Sequence, residues 1–146
     1  VGTVTTTVRA APGEVFAVLA DGWYYPTWVV GTSHVRAVGA DWPASGSRLF
    51  HCSGVWPVAL RDETRVEAVV PDRRLVLLAQ GRPMGEARVT IDLTADGRDT
   101  RVSLGEEPVS GPGRWLHNPV AEALLVRRNV ESLARLAALA ERRDRP

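Results

Sequence analysis

Apolar and polar positions repeat at two different periods along this chain, and the change of period divides it. Residues 3–9, Thr-Val-Thr-Thr-Thr-Val-Arg, are β-branched almost throughout and set Val4, Thr6 and Val8 on one side, which predicts a first strand. From Ala11 to Leu19 the chain offers Pro12 as a helix start and Glu14 in the first turn, where a carboxylate meets the positive end of the helix dipole. A short helix is expected there, ending near Asp21-Gly22. The stretch Trp23-Tyr24-Tyr25-Pro26-Thr27-Trp28 is too irregular for a strand and is broken by proline, so it reads as one helical turn or a tight loop. From residue 32 strands follow in series, over about 33–38, 47–53, 58–70, 74–80, 85–94 and 100–106. Gly39, Gly54, Pro71-Asp72, Gly81 and Asp96-Gly97 punctuate them.

The strand at 85–94 alternates most cleanly: Ala87, Val89, Ile91 and Leu93 against Glu86, Arg88, Thr90 and Asp92, one face for a core and one for water. In the next strand Thr100, Val102 and Leu104 share the inner side. Continued, that parity places Glu106 inside; if the strand stops at Leu104, Glu106-Glu107-Pro108 is an exposed turn. The tail from Trp115 to about Arg143 carries a helical stripe through Leu116, Pro119, Ala123, Val126, Val130, Leu133, Ala137 and Ala140, which predicts a long helix packed on the sheet by that face. Together these elements predict an α+β fold: a curved antiparallel sheet of about seven strands wrapped around a long C-terminal helix, with two short helices after the first strand.

Composition narrows the picture. The chain has 146 residues, 45% hydrophobic, enough for one core and one domain spanning 1–146. Its longest apolar run, Val15 to Ala20, is far below the roughly 20 residues that span a bilayer. With no pattern of a secretion signal at the start, a cytoplasmic protein without stable membrane insertion is expected. Eighteen basic residues oppose 17 acidic ones for a net charge of +1, so nucleic acid is not an expected partner. Every basic residue is arginine, which excludes Schiff-base chemistry on lysine. The single Cys52 excludes an internal disulfide or a thiolate zinc cluster and reads as a small buried apolar residue. His34, His51 and His117 lack zinc-helix spacing, and P-loop, dinucleotide and nucleophile-elbow motifs are missing, so neither metal nor cofactor is expected.

Four strings carry a family resemblance: Ala11 to Leu19, Tyr25-Pro26-Thr27-Trp28, Gly97 to Val102, and Arg127-Arg128-Asn129-Val130-Glu131-Ser132-Leu133. With the order of elements, they resemble the START/Bet v 1-like helix-grip (SRPBCC) superfamily and its polyketide cyclase/dehydrase branch, over essentially the whole chain. The resemblance implies an elongated apolar cavity between the concave face of the sheet and the long helix. On this chain Trp28, Phe50, Trp56, Leu60, Met84, Leu116, Ala123 and Asn129 are the candidates to line it.

The loop tryptophans read either as aromatic contacts at a cavity mouth or as plugs over the core; Trp42, in Asp41-Trp42-Pro43, suggests a surface turn. Three residues are candidates for chemistry. Arg127 sits beside the helix stripe, and the resemblance implies an arginine near that position turned toward the ligand; Arg127 and Arg128 read equally as solvated helix residues. Glu106, if inside, would pair with Arg127 or have its pKa raised as a proton donor. His51 alternates with Phe50, and whichever faces inward decides whether a general base is available. Two functions remain open: a carrier, sequestering or sensing domain for a hydrophobic small molecule of polyketide-like or lipid-like character, or a cofactor-independent polyketide cyclase, aromatase or dehydratase acting in the same cavity. Either suits a monomer or a homodimer. Convergence of Glu106, Arg127 and His51 would favour the enzyme.

Overall fold

Seven strands, β1 (Gly2–Val8), β2 (Thr32–Val38), β3 (Arg48–Val55), β4 (Val58–Val70), β5 (Arg74–Gln80), β6 (Glu86–Asp96) and β7 (Asp99–Ser110), form one antiparallel sheet in the order β1-β7-β6-β5-β4-β3-β2. The structure is a computed structural model that describes residues 2–30, 32–55, 58–80, 85–111 and 119–144, with side chains other than those at 2, 33, 53–55, 58–60 and 144. Between β1 and β2 come helix α1 (Pro12–Ala20), a 3-10 turn (Gly22–Tyr24) and the single turn α2 (Tyr25–Trp28); α3 (Pro119–Asp144) ends the described chain. The expected α+β architecture is the observed one. Register shifts between β2 and β3, β4 and β5, and β6 and β7 add local bends to the strands, the usual device by which a sheet curls.

Alternation decides the two faces. Val8, Leu49, Val66, Leu77, Ile91 and Leu104 come from six different strands and are fully buried in one core with α1 and α3. Helix α1 contributes Val15, Phe16, Val18 and Leu19 from its buried side. Its end is fixed by Asp21, whose carboxylate accepts from the Trp23 N–H at 3.1 Å and so starts the 3-10 turn. Gly22 lets that turn press on the sheet: a Cβ there would sit 2.8 Å from Val38 and 3.0 Å from Leu49. On the convex side Val76 and Leu78 of β5 are also buried. Arg88 of β6 spans β5 to reach Glu67 of β4, at 2.7 and 3.1 Å, while also donating to Glu107 at 2.9 Å, an ionic layer that lowers the Glu67 pKa by hydrogen bonding to its carboxylate.

Helix α3 packs chiefly on β1 and α1, touching α2 and β7. It is tied down by Glu141, which accepts from the Arg9 N–H at 2.9 Å, by the Arg143–Glu14 pair at 3.2 Å, and by Ser132, whose hydroxyl accepts from the Val30 N–H at 3.1 Å. Its buried face differs from the expected stripe. Leu133 and Ala140 are buried as expected and Ala137 half-buried, but Ala123, Val126 and Val130 face outward, Val130 at 53% exposure. The true face is centred on Asn129, Ser132, Leu133 and Leu136. At 100° per residue this is a rotation of about 70–90° from the all-apolar stripe. Two polar residues, Asn129 and Ser132, are buried on this face, and Ser132 accepts a hydrogen bond there from Val30, so hydrophobicity alone misses the line they continue.

Two further expectations change. Strand β7 does not stop at Leu104 but runs to Ser110, with Glu106 paired opposite Val89, so Glu106-Glu107-Pro108 is strand and not a turn. The Asp41-Trp42-Pro43 segment is a turn, yet the Trp42 ring folds back on the core and its Nε1–H donates to the Leu19 carbonyl at 3.3 Å. Cys52 is buried, as expected.

Candidate functional site

The strand ends at Val55, Val58, Gln80, Glu86 and Ser110 lie toward one end of the sheet. Contacts of Arg128 with Glu106 and of Glu141 with Arg9 run α3 antiparallel to β7, which brings the start of α3 to the same end. Toward this end the concave face turns from apolar to polar. In β4 the outward positions Arg61, Glu63, Arg65 and Glu67 are all charged, which leaves Asp62, Thr64 and Val66 on the inner parity. Asp62 and Thr64 are buried there, and His51 of β3, in register with Asp62, is 2% exposed.

Tyr25 closes the group from above. Pro26 lies in the first turn of α2, where proline suits a helix start, and Tyr25 and Trp28 meet edge-on with ring centroids 5.7 Å apart, both buried. The Tyr25 ring lies 5.3 Å from that of His51 at an angle of 32°. Its hydroxyl is 3.1 Å from Thr64 Oγ1, and Thr64 Oγ1 is 2.9 Å from His51 Nε2. Burial pushes the Tyr25 phenol up to about 12, with the Thr64 hydrogen bond and Arg128 opposing and Glu106 assisting, so it is a protonated donor at neutral pH. Burial likewise lowers the His51 pKa; Asp62 pulls it back up, and Arg36, which sits over the Phe50 ring, pushes it further down. His51 is therefore a neutral imidazole near pH 7.

The third component comes from α3 and β7. Glu106 is on the inner face, its side chain 14% exposed, and Arg128 Nη2 donates to it. Arg128 Nη2 also lies 3.4 Å from Asn129 Oδ1. The expected partner was Arg127; because the helix face is rotated, Arg127 is exposed and Arg128 crosses to the sheet.

The candidates therefore separate. His51 faces inward and Phe50 outward, which resolves their alternation and takes Phe50 off the concave face. Trp28 and Asn129 are buried on the inner side; Ala123 is exposed. Trp56, Met84 and Leu116, and the side chain of Leu60, lie outside the described residues, as does His117. Four side chains of the cluster were not singled out from sequence: Tyr25, Asp62, Thr64 and Arg128. For Asp62 and Thr64 a signal existed, namely the unbroken charge on the opposite parity of β4. Among the described residues no group of three or more His, Cys, Asp or Glu side chains could hold a metal, and no helix is long and apolar enough to cross a membrane.

This arrangement sets a neutral imidazole, a buried phenol and a carboxylate–guanidinium pair, with Asp62, Thr64 and Asn129 beside them, against the apolar core. Residues 2–141 match the family model described as polyketide cyclase / dehydrase and lipid transport. The chain belongs to this family. Among solved structures, the polyketide cyclase/dehydrase fold recurs in the Zhui aromatase/cyclase from Streptomyces sp. R1128, 21% identical, with 99% of this chain and 94% of that one covered and a TM-score of 0.72. It recurs in the di-domain aromatase/cyclase StfQ of the steffimycin biosynthetic pathway, 11% identical, covering 97% of this chain and 50% of that one, TM-score 0.75. A protein from Nitrosomonas europaea matches at 14% identity, 97% and 94% coverage and a TM-score of 0.73. At these identities the structures share the fold of this polyketide cyclase/dehydrase member and no more. The search of curated proteins gives no match.

Proposed function

We propose that this chain binds an elongated, largely apolar small molecule bearing carbonyl or hydroxyl oxygens, between the concave face of the sheet and α3. The observation that carries this reading is the gathering of His51, Thr64, Tyr25 and the Glu106–Arg128 pair beside an apolar core. An apolar wall supplies affinity through burial, and a few placed polar groups fix the orientation of a ligand that has oxygens to offer. Membership of a family that includes both cyclases and lipid-transport proteins supports the same chemistry. Native mass spectrometry of freshly purified protein tests it. A co-purified mass, or saturable uptake of an added aromatic polyketone that is displaced by unlabelled compound, supports the reading; protein that stays ligand-free through both assays overturns it.

A second reading has its own support. The enzyme hypothesis required polar groups to converge, and a histidine, a phenol and a carboxylate–arginine pair do so, with Arg128 in the place foreseen for Arg127. Holding a flexible polyketone folded while hydrogen bonds polarise its carbonyls would accelerate cyclisation mainly through positioning. Incubation with a linear polyketone and chromatography of the products tests this: a shift of the product ratio away from that of spontaneous cyclisation, lost on Arg128→Ala, supports a cyclase.

A further inference from the structure

We infer that Thr64 is a positioning residue: the hydroxyl chain from Tyr25 through Thr64 to His51 runs in one direction and holds His51 as the Nδ1–H tautomer. Its consequence for a ligand rests on the function proposed above; the tautomer itself is a property of the protein alone.

The direction follows from counting hydrogens. Tyr25 is buried, and among the described residues its hydroxyl has Thr64 Oγ1, at 3.1 Å, as hydrogen-bond partner. A buried hydroxyl places its proton on an acceptor, so the Tyr25 proton goes to Thr64 Oγ1. Thr64, fully buried, has one proton of its own, and its other hydrogen-bond partner is His51 Nε2 at 2.9 Å. A hydroxyl carries one donor and two acceptor lone pairs, so Thr64 accepts from Tyr25 and donates to His51. Nε2 is then the lone-pair nitrogen, and the ring proton resides on Nδ1. Run the other way, with Nε2–H donating to Thr64 and Thr64 to Tyr25, the chain would leave the phenol proton without an acceptor among the described residues.

The charged groups around the ring do not reverse this. Asp62 faces His51 from β4 and favours its cation, Arg36 of β2 disfavours it, and Glu106 and Arg128 act on Tyr25 from β7 and α3. Protonating His51 would turn Nε2 into a donor and force the whole chain to reverse, so the chain resists the cation as burial does.

His51 Nε2 is thereby engaged by Thr64 and out of service as a proton acceptor toward anything bound on the concave face. His51 is the foremost candidate for a general base in the sequence; this geometry engages the nitrogen that such a role would use.

Long-range 1H–15N correlation spectra of ligand-free protein with 15N-labelled histidine read the tautomer directly, and His51→Asn assigns the ring signals. We expect wild-type His51 to show a pyrrole-type Nδ1 and a pyridine-type Nε2 from pH 6 to 8. Thr64→Ser should preserve the pattern, and Thr64→Val should shift it toward Nε2–H or a tautomeric average. A wild-type ring with pyridine-type Nδ1, or with averaged nitrogens, overturns the inference. So does a folded Thr64→Val protein whose pattern is unchanged. If Thr64→Val fails to fold, the wild-type and Thr64→Ser spectra decide alone. Because no ligand is present, failure here is distinct from failure of the binding reading.

Discussion

Arg128 donates to Glu106 across the gap between α3 and β7, while its neighbour Arg127 points to solvent. One helical position, about 100° of rotation, separates an arginine that completes the concave side from one that does not. The pair joins the long helix to the last strand near the end where the polar cluster lies, so it bears on both stability and ligand contact.

Replacing Arg128 by alanine should cost about 1–2 kcal/mol in denaturant unfolding, below the ~3–5 kcal/mol of a fully buried pair because its side chain is 41% exposed and solvent-screened. Arg127→Ala should stay within about 0.5 kcal/mol of the parent. A double-mutant cycle of Arg128→Ala with Glu106→Gln should give a non-zero coupling; strict additivity would mean the two side chains do not meet in solution.

The rotated helix face makes an opposite pair of forecasts. Leu136, fully buried, should cost about 2–5 kcal/mol on truncation to alanine. Val130→Asp, at a half-exposed position, should leave soluble protein destabilised by less than about 1 kcal/mol. Insoluble Val130→Asp with a well-behaved Leu136→Ala would restore the all-apolar stripe as the buried face.

Stability should depend on pH through His51 and Tyr25 with fixed signs. The folded His51 pKa is lowered from 6.5, so the unfolded chain binds more protons just below that value and stability falls as pH drops through it. His51→Gln should flatten this slope in thermal melts between pH 7 and about 5. The folded Tyr25 pKa is raised from 10.0 to about 12, so its contribution is complete below pH 10 and declines between 10 and about 12; Tyr25→Phe should remove that decline. An unchanged slope in either variant would assign the pH dependence to other groups.

Trp28 should behave as core. Trp28→Ala is expected to cost about 3–5 kcal/mol, and Trp28→Phe distinctly less because an aromatic edge remains against Tyr25. Equal, small losses in the two variants would show that the ring is not packed as described.

The succession of strands along the chain, the short helices and the long helix were legible because their signals are local: β-branched runs, alternation, Pro12 at a helix start, glycine at turns. The inward parity of Glu106 was legible for the same reason, once β7 is allowed to run on to Ser110. The helix face was not. Val126 and Val130 are apolar like Leu133, and the burial of the polar Ser132 and Asn129, with Ser132 bonded to Val30, is what distinguishes the two lines. Nor could Tyr25 be separated from Tyr24 in sequence, since the turn that buries one and exposes the other depends on Gly22 approaching Val38 and Leu49. Long-range pairings such as Tyr25 with Thr64 leave no periodic trace.

The neighbour of β1 in the sheet is β7, with Val8 opposite Thr100 and Gly2 opposite Glu106, so this strand joins a partner made about ninety or more residues later. Until then the run Thr-Val-Thr-Thr-Thr-Val carries no charge or proline to discourage pairing with another nascent chain. The meander from β2 to β7 pairs neighbours in sequence, whereas β1 enters the sheet only through β7 and packs against α3. A chain that ends before β7 leaves this strand without its place in the sheet.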